Sequence, residues 1–237
     1  EKLPPGEFGV MHGYMKIPEL KKVCHAYGVS INEYLVAVYV WSVYTECMHG
    51  MPSERPVRVA VPVNLRPYFN SITTKNFFVM VSAEFHPTKE IYTFEEVLKS
   101  VSESLRSQIS RENLEKLFSY NVSNEKLLAA RIVPLFLKNL AMRYVYTTSA
   151  LANTATVTNI GNISVSEEYR PYVEMFHAFL AMSKGQHLKG TICSYGDTLV
   201  FSFSYDLTDT SVQRGFFRKI AADGIAVEIE TNGVNYE

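Results

Sequence analysis

The sequence predicts an α+β fold, formed by a single domain over residues 1–237. Three observations predict it: alternating apolar strands occur in both halves of the chain, a helical block lies between them, and no shift of composition divides the chain. The residues are 47% hydrophobic and 20% charged, which suffices for one large core or two small ones. The net charge is −1 with scattered Lys and Arg, so no nucleic-acid-binding face is indicated.

The first elements are a strand and two helices. Phe8 to Ile17 alternates as a strand does, Pro18 suits the first turn of a helix, and Gly28 suits its C-terminal cap. Ser30–Glu33 forms a capping box for a second helix, which extends to about Cys47. Because this second helix is apolar nearly all round, we expect it to be buried between other layers.

Two strands and the central helical block follow. Strands are predicted at Val57–Val63 and Phe77–Phe85, and a capping box at Thr93 opens an amphipathic helix that reaches Ile109. Further helical segments are predicted from Arg111 to Tyr146, interrupted near Asn121–Asn124 and by Pro134.

The last third of the chain returns to strands. Thr154 to Ile160 is predicted as a strand that ends at Gly161, and Tyr172 to Leu180 as a strand, with a short helix as the alternative. Lys189–Tyr195 and Thr198–Tyr205 form a predicted hairpin across the two-residue turn Gly196-Asp197.

A helix and a strand complete the prediction. Thr208 or Asp209 is expected to cap the helix, Asp223-Gly224 to stop it, and Ile225–Glu230 to be the last strand. The carboxylates of Asp206 and Asp209 could alternatively perform acid–base work or bind a metal, but the capping role is favoured.

Common catalytic and metal-binding motifs are absent. None of the six histidines lies in HHxxxD, HExxH or HxH, and no GxSxG, Walker A or GxGxxG motif occurs. The three cysteines are far apart, so neither a disulfide framework nor a zinc site is predicted, and a reducing cytoplasmic setting fits best. The longest apolar run, Tyr34–Trp41, is too short to span a bilayer, and no signal peptide is recognisable.

Several pieces of sequence match one family in order. Gly28–Leu35 with the apolar helix after it resembles the G-T-x-N-x-x-L helix of condensation-domain-like acyltransferases. Val61–Pro67 followed by Asn76–Val79 resembles their P-V-x-x-R…G-N-F-x strand pair, and Thr158–Gly161 resembles a short strand motif of alcohol acetyltransferases. The chain is thus similar to the C-terminal half of a condensation-domain-like, alcohol acetyltransferase-like member of the CoA-dependent (chloramphenicol acetyltransferase-like) acyltransferase superfamily.

The resemblance implies a fold and a division of labour. The fold would be a chloramphenicol acetyltransferase-like half, with a mixed β-sheet packed against helices. A tunnel would separate this half from the protein's own N-terminal half, which would carry the base, the second histidine of HHxxxDG. The donor would be an acyl-CoA or acyl-carrier thioester with no permanently bound cofactor, and the acceptor a small molecule. The oligomeric state stays open between monomer and homo-oligomer.

The resemblance also assigns candidate residues. Asn159, Gly161 and Asn76 would line the substrate tunnel, while Asn64 and Arg66 would fix the exit of a strand. From the residues alone, glycine at 161 is equally consistent with close approach of a ligand and with an ordinary turn.

The segment Ser204–Thr210 has the length and Asp spacing of HHxxxDG. Ser204 and Tyr205 stand where the histidines would be, Asp209 matches the Asp, and Thr210 replaces the Gly. A tyrosine of ordinary pKa is a poor base at neutral pH. We therefore expect a degenerate copy of the motif that serves as architecture, no catalytic residue in this chain, and no turnover by the chain alone.

Two other functions are kept as alternatives. One is a non-catalytic condensation-like binding or carrier-docking module. The other is a hydrolase whose catalytic triad is dispersed in sequence.

Overall fold

The computed structural model describes residues 1–126, 133–183 and 185–234 and contains one seven-stranded sheet of order β3-β2-β4-β5-β6-β1-β7. The β2–β4 and β4–β5 pairs are parallel and the other pairs antiparallel, so the predicted mixed sheet is confirmed. The strands are β1 Gly9–Lys16, β2 Val57–Asn64, β3 Phe78–Phe85, β4 Ala155–Asn162, β5 Leu188–Tyr195, β6 Thr198–Tyr205 and β7 Val227–Thr231.

Helices cover one face of this sheet. A π-helical turn, Val43–Cys47, continues the second helix, and a 3₁₀ turn spans Arg170–Tyr172. The α-helices are α1 Ile17–Tyr27, α2 Ile31–Ser42, α3 Arg66–Phe69, α4 Phe94–Gln108, α5 Arg111–Lys126, α6 Leu135–Leu151 and α7 Ser211–Ala222.

The predicted helix boundaries are largely confirmed. Ser30 and Thr93 each close a capping box with the glutamate three residues later, which satisfies the free N–H groups at the starts of α2 and α4. Gly28 has φ 68°, a left-handed conformation that ends α1. As expected, α2 is buried on nearly every side.

Two helix predictions are wrong in detail. The predicted break at Asn121–Asn124 does not occur, because α5 continues to Lys126; Asn and Ser cost a helix only a few tenths of a kcal/mol, roughly, relative to better formers. Neither Thr208 nor Asp209 is the N-cap residue of α7, since that position is Thr210. Asp209 nevertheless satisfies the start of the helix by accepting a hydrogen bond from the Ser211 N–H at 2.9 Å.

The predicted strand at Tyr172–Leu180 is also wrong, since residues 173–182, here called the strap, form no strand. The strap crosses the face of the sheet that the helices leave open. Its carbonyls at 176, 180 and 181 accept hydrogen bonds from side chains of the sheet: Cys193 Sγ at 3.2 Å, Ser204 Oγ at 2.6 Å and Lys189 Nζ at 2.8 Å. The strap is therefore held by hydrogen bonds from side chains of the sheet and not by backbone pairing with a neighbouring strand.

The strap-covered face carries one continuous row of polar residues. In the strand register, Thr158 lies beside Thr191, Thr191 beside Ser202, Ser202 beside His12, and His12 beside Glu230. We call these five residues the polar row. His12 Nδ1 lies 2.7 Å from Ser202 Oγ, whereas the hydroxyl of Thr191 has no hydrogen-bond partner among the described residues.

Candidate functional site

A groove opens at the end of the sheet where the C-termini of β1, β4 and β5 lie. β4 and β5 are parallel, and β1 also runs in the direction of β5 because both are antiparallel to β6. The start of α1 therefore lies beside the ends of β4 and β5. The groove encloses about 520 Å³, and we call it the α1–β4 groove; it is lined by Ile17, Pro18, Lys21, Ile31, Asn159, Gly161, Asn162, Ile192, Ser194, Gly196, Asp197 and Leu199.

Gly161 lies in a β-bulge and not at a strand end, which corrects the sequence prediction. Asn159 pairs with Ile192 and Gly161 with Cys193, so Ile160 is the extra residue and β4 continues to Asn162. Gly161 has φ 86°, which favours glycine, and a Cβ there would meet no atom within 4 Å. Backbone conformation, and not crowding, explains the glycine, and the space beside it is open.

The side chain of Asn159 stabilises this bulge. Its Oδ1 accepts a hydrogen bond from the Gly161 N–H at 2.8 Å, and its Nδ2 lies 3.3 Å from Asn32 Oδ1 at the start of α2. The structure thus brings Asn159 and Gly161 together on the wall of the groove. Part of the hydrogen-bonding capacity of Asn159 is already used within the protein.

Asn76, the third candidate, does not line this groove. Its exposed side chain precedes β3, on the far side of β2, and β2 pairs with β4 only near Val59 and Ala60. Asn64 and Arg66 do fix the exit of β2, as expected. Arg66 donates to the Asn64 side chain at 3.1 Å and to the carbonyls of Thr73 and Lys75 at 2.8 and 2.6 Å.

The chemistry of the groove is that of a binding wall. Its charged side chains are Lys21 and Asp197, and Lys16 at the rim lies 3.2 Å from Asp197. A hydrogen bond from Lys16 holds the pKa of Asp197 below its usual value. No histidine or cysteine is among the described residues that line the groove. The wall can hold an apolar or an anionic group. Its described residues include no histidine that could act as a general base at neutral pH.

Tyr205, which the resemblance aligns with the base of HHxxxDG, has a packing role. Its side chain is 2% exposed, and a Cβ at Gly9 on the neighbouring strand would lie 2.1 Å from Tyr205 Cζ. Gly9 therefore provides the space that the ring occupies. The ring packs over the backbone of β1 and presents little surface to solvent.

The other members of the altered motif are also structural. Ser204 is buried and anchors the strap through its hydroxyl. Asp209 accepts hydrogen bonds from the N–H and, at 3.1 Å, the hydroxyl of Ser211, and the backbone bond is the main cause of its lowered pKa. The contacts of Ser204 and Asp209 described here lie within the protein, and the architectural role of this segment stays a prediction.

Sequence reasoning missed a histidine–aspartate pair. His187 Nδ1 lies 2.8 Å from Asp206 Oδ1, so Asp206 neither caps a helix nor pairs with Asp209. A signal was available: the two-residue turn at Gly196-Asp197 sets the hairpin register, in which Leu188 faces Tyr205 and His187 must face Asp206. Neither residue is among the described residues that line the α1–β4 groove, because both lie at the other end of the hairpin.

A dispersed catalytic triad is not supported by the contact between Ser202 and His12 on the sheet. Ser202 is fully buried beneath the strap, and His12 stacks on His177 with ring centroids 4.6 Å apart. Among the described residues no carboxylate is hydrogen-bonded to His12. The described residues also contain no group of three or more His, Cys, Asp or Glu side chains that could hold a metal ion.

Comparisons with known proteins concern the fold. No family model and no curated protein sequence matches the chain. Among solved structures, TRI101 of F. sporotrichioides, complexed with coenzyme A and T-2, aligns with a TM-score of 0.60 and 11% identity over 96% of this chain and 52% of that one. The epimerization domain from the third module of tyrocidine synthetase B aligns at 0.56 and 11%, over 94% and 48%.

A third similar structure is the wax ester synthase/diacylglycerol acyltransferase from Marinobacter aquaeolei VT8. It aligns with a TM-score of 0.50 and 16% identity over 91% of this chain and 49% of that one. The chain thus spans about half the length of these three structures. At these identities the likeness concerns architecture, and it confirms the prediction from motif order: the chain has the chloramphenicol acetyltransferase-like fold.

Proposed function

We propose that this chain is the C-terminal subdomain of an acyltransferase. The enzyme would move an acyl group, in the first instance acetyl, from a CoA or carrier thioester to an alcohol-type acceptor. The observation that carries the proposal is the α1–β4 groove, a largely apolar wall at the strand ends with a lysine beside it and no neutral base. A half-length chain with this fold is suited to holding a thioester for a reaction whose base lies elsewhere.

In this proposal each part of the groove has a role. Ile31, Ile192 and Leu199 contact the apolar stem of the donor, and Lys21 pairs with an anionic group on it. The bulge at Gly161 leaves backbone open to the ligand because no side chain stands there. A histidine of the N-terminal half takes the proton from the acceptor hydroxyl, and the oxygen then attacks the thioester carbonyl. This chain orients the donor and transfers no proton.

Helix α6 supports the N-terminal half as a partner. Phe136 and Tyr144 on this helix are 70% and 72% exposed, although a helix that is apolar on most sides is ordinarily buried. Contact with the remainder of a two-half enzyme would cover this surface.

A cytoplasmic setting is proposed on the cysteines. Cys24, Cys47 and Cys193 are all free thiols, as expected for a protein kept in a reducing compartment. Across the described part of the chain, every helix falls short of the length and apolar character needed to cross a bilayer.

The test is acyl transfer by the intact parent protein with acetyl-CoA and a panel of alcohols, beside the chain alone. We expect transfer by the parent and none by the chain. Lys21→Gln in the parent should raise the KM for acetyl-CoA by about tenfold, the loss of one charged contact, with little change in kcat.

Lys22→Gln is the matched control, because Lys22 is the exposed neighbour on α1 and does not line the groove. Absence of both transfer and CoA binding in the parent would contradict the proposal and favour the non-catalytic carrier-docking module. Turnover by the chain alone would contradict the placement of the base.

A further inference from the structure

A second groove lies between α7 and the edge strand β7, and it encloses about 550 Å³. Met11, Val227 and Ile229 form its apolar floor, and Arg214 and Arg218 stand on its helical wall; we call it the arginine groove. It adjoins the end of β6, whereas the α1–β4 groove adjoins the start of β6. The arginine groove extends along β7 as far as Val227, which pairs with Met15, and it shares no lining residue with the α1–β4 groove.

The two arginines form no ion pair in the part of the chain that the structure describes. Both are exposed, one helical turn apart, and neither forms an ion pair within 4.0 Å with any described residue. Arg214 contributes to the lowered pKa of Asp209, so this carboxylate attracts Arg214 without forming an ion pair with it. Like charges four residues apart destabilise a helix by a few tenths of a kcal/mol, roughly. The pair therefore places positive charge on the groove wall that no ion pair among the described residues neutralises.

The nearest strand offers no compensation because its acidic residues lie on the other face. Side chains alternate along β7, so Val227, Ile229 and Thr231 line the groove while Glu228 and Glu230 point away. Glu230 accepts a hydrogen bond from the Tyr14 hydroxyl on that far face. Ile229 is 48% exposed at the floor of the groove, a large apolar side chain in contact with solvent.

We propose that the arginine groove binds a single-chain lipid anion, a fatty acyl carboxylate. The planar guanidinium groups of Arg214 and Arg218 match the two oxygens of a carboxylate. The alkyl chain covers Met11, Val227 and Ile229, and each buried methylene adds up to about 0.8 kcal/mol. An inorganic anion would leave this floor exposed, and an uncharged alkane would leave the arginines unpaired. The site is separate from the proposed thioester wall and goes beyond acyl transfer.

Titration calorimetry of the whole chain with decanoate tests the proposal. We expect saturable binding to one site, weakened at least tenfold in the variant Arg214→Gln/Arg218→Gln and weakened by high salt. Ile229→Thr should reduce the gain in affinity from octanoate to decanoate. Arg55→Gln, an exposed loop arginine with no side-chain partner among the described residues, is the control and should bind like the wild type.

Decanol and acetate separate the two parts of the ligand, and each should bind at least tenfold more weakly than decanoate. The proposal is overturned by absence of saturable decanoate binding at millimolar concentration, by equal binding to the double variant, or by equal affinity for decanol. Circular dichroism checks that these surface variants are folded. None of the substituted residues lines the α1–β4 groove, so failure here leaves the acyl-transfer proposal intact.

Discussion

On β6, Phe201 and Phe203 face the helices, while Ser202 and Ser204 face the strap. The two phenylalanines pack against Phe216 of α7 with ring centroids 4.3 and 5.1 Å away. The serines instead make one hydrogen bond each, to His12 and to the carbonyl of Leu180. Neighbouring residues of one strand therefore contribute to two layers, one formed by apolar packing and one by individual polar contacts.

The two faces of the sheet should therefore differ in rigidity. Close packing makes the helix-covered face sensitive to the loss or gain of a methylene group. The strap-covered face depends on a few hydrogen bonds that exchange with water, each worth about 1 kcal/mol net. We expect local opening of the strap to cost much less free energy than global unfolding. The helices should open only when the whole protein unfolds.

The largest effect should come from the helix-covered face. Phe203→Ala removes a fully buried ring that also contacts Tyr39 and Phe217, and should lower the free energy of unfolding by about 3–5 kcal/mol. Urea denaturation followed by circular dichroism measures it. Ser202→Ala, on the adjacent residue of the opposite face, is the matched control. An equal loss from both variants would remove the distinction between the faces.

Overpacking of the same face should cost less. Gly9→Ala places a Cβ against the buried ring of Tyr205 and should destabilise the protein by about 1–3 kcal/mol. Gly161→Ala is the comparison, because it meets open space and costs only the strain of a positive φ, about 1 kcal/mol. In denaturant titrations, Gly9→Ala/Tyr205→Leu should cost less than the sum of its single variants. Strict additivity would show that the ring does not depend on that glycine.

Loss of one anchor should affect the strap alone. Ser204→Ala leaves the carbonyl of Leu180 without its hydrogen-bond donor. This loss should destabilise the strap by about 1–2 kcal/mol. We expect faster proteolysis and hydrogen exchange within residues 173–182, and unchanged exchange in α2 and α4. Ser107→Ala, which removes a hydroxyl from α4, is the control. Uniformly faster exchange throughout the sheet would mean that the strap is part of the global core.

The smallest effect should be a pH dependence of the strap. Burial lowers the pKa of His12 from 6.5, the charge of His177 lowers it further, and Glu230 opposes both. The unfolded chain therefore binds the proton more tightly, so this stabilisation is complete above pH 6.5 and is lost as the pH falls from there towards the folded pKa.

Hydrogen exchange of the strap between pH 7.5 and 5.5, corrected for intrinsic rates, measures this effect. Protection should fall by a few-fold in the wild type, which corresponds to less than about 1 kcal/mol. His12→Gln, which retains a hydrogen-bonding group beside Ser202, should be insensitive over this range. The same fall in the variant would assign the dependence to another group.

Local sequence patterns predict the elements whose partners are near in the chain. The two-residue turn at Gly196-Asp197 sets the register of β5 and β6, and with it the pairing of Thr191 with Ser202 and of His187 with Asp206. Capping boxes predict where α2 and α4 begin for the same reason, since both partners lie within four residues. These features require no knowledge of the tertiary fold.

Features that depend on segments far apart in the sequence are not predicted by local patterns. The strap alternates like a strand, but its partners are side chains of β5 and β6, far along the chain. The sequence predicts Gly161 at a strand end because a bulge is recognisable only when β5 continues beside it. It predicts Asn159 and Gly161 for the groove, whereas Lys21 and Ser194 join them only through the arrangement of β1, β4 and β5.

The contact between Gly9 and Tyr205 should restrict which residues can occupy these two positions in related proteins. The ring at 205 occupies the volume that any side chain at 9 would need. A lineage that kept a smaller side chain at position 205 would be free to vary at position 9, whereas one with tyrosine there is held to glycine. The two positions should therefore covary among relatives of this chain. Glycine at position 9 is then set by a ring that lies more than two-thirds of the chain away in sequence.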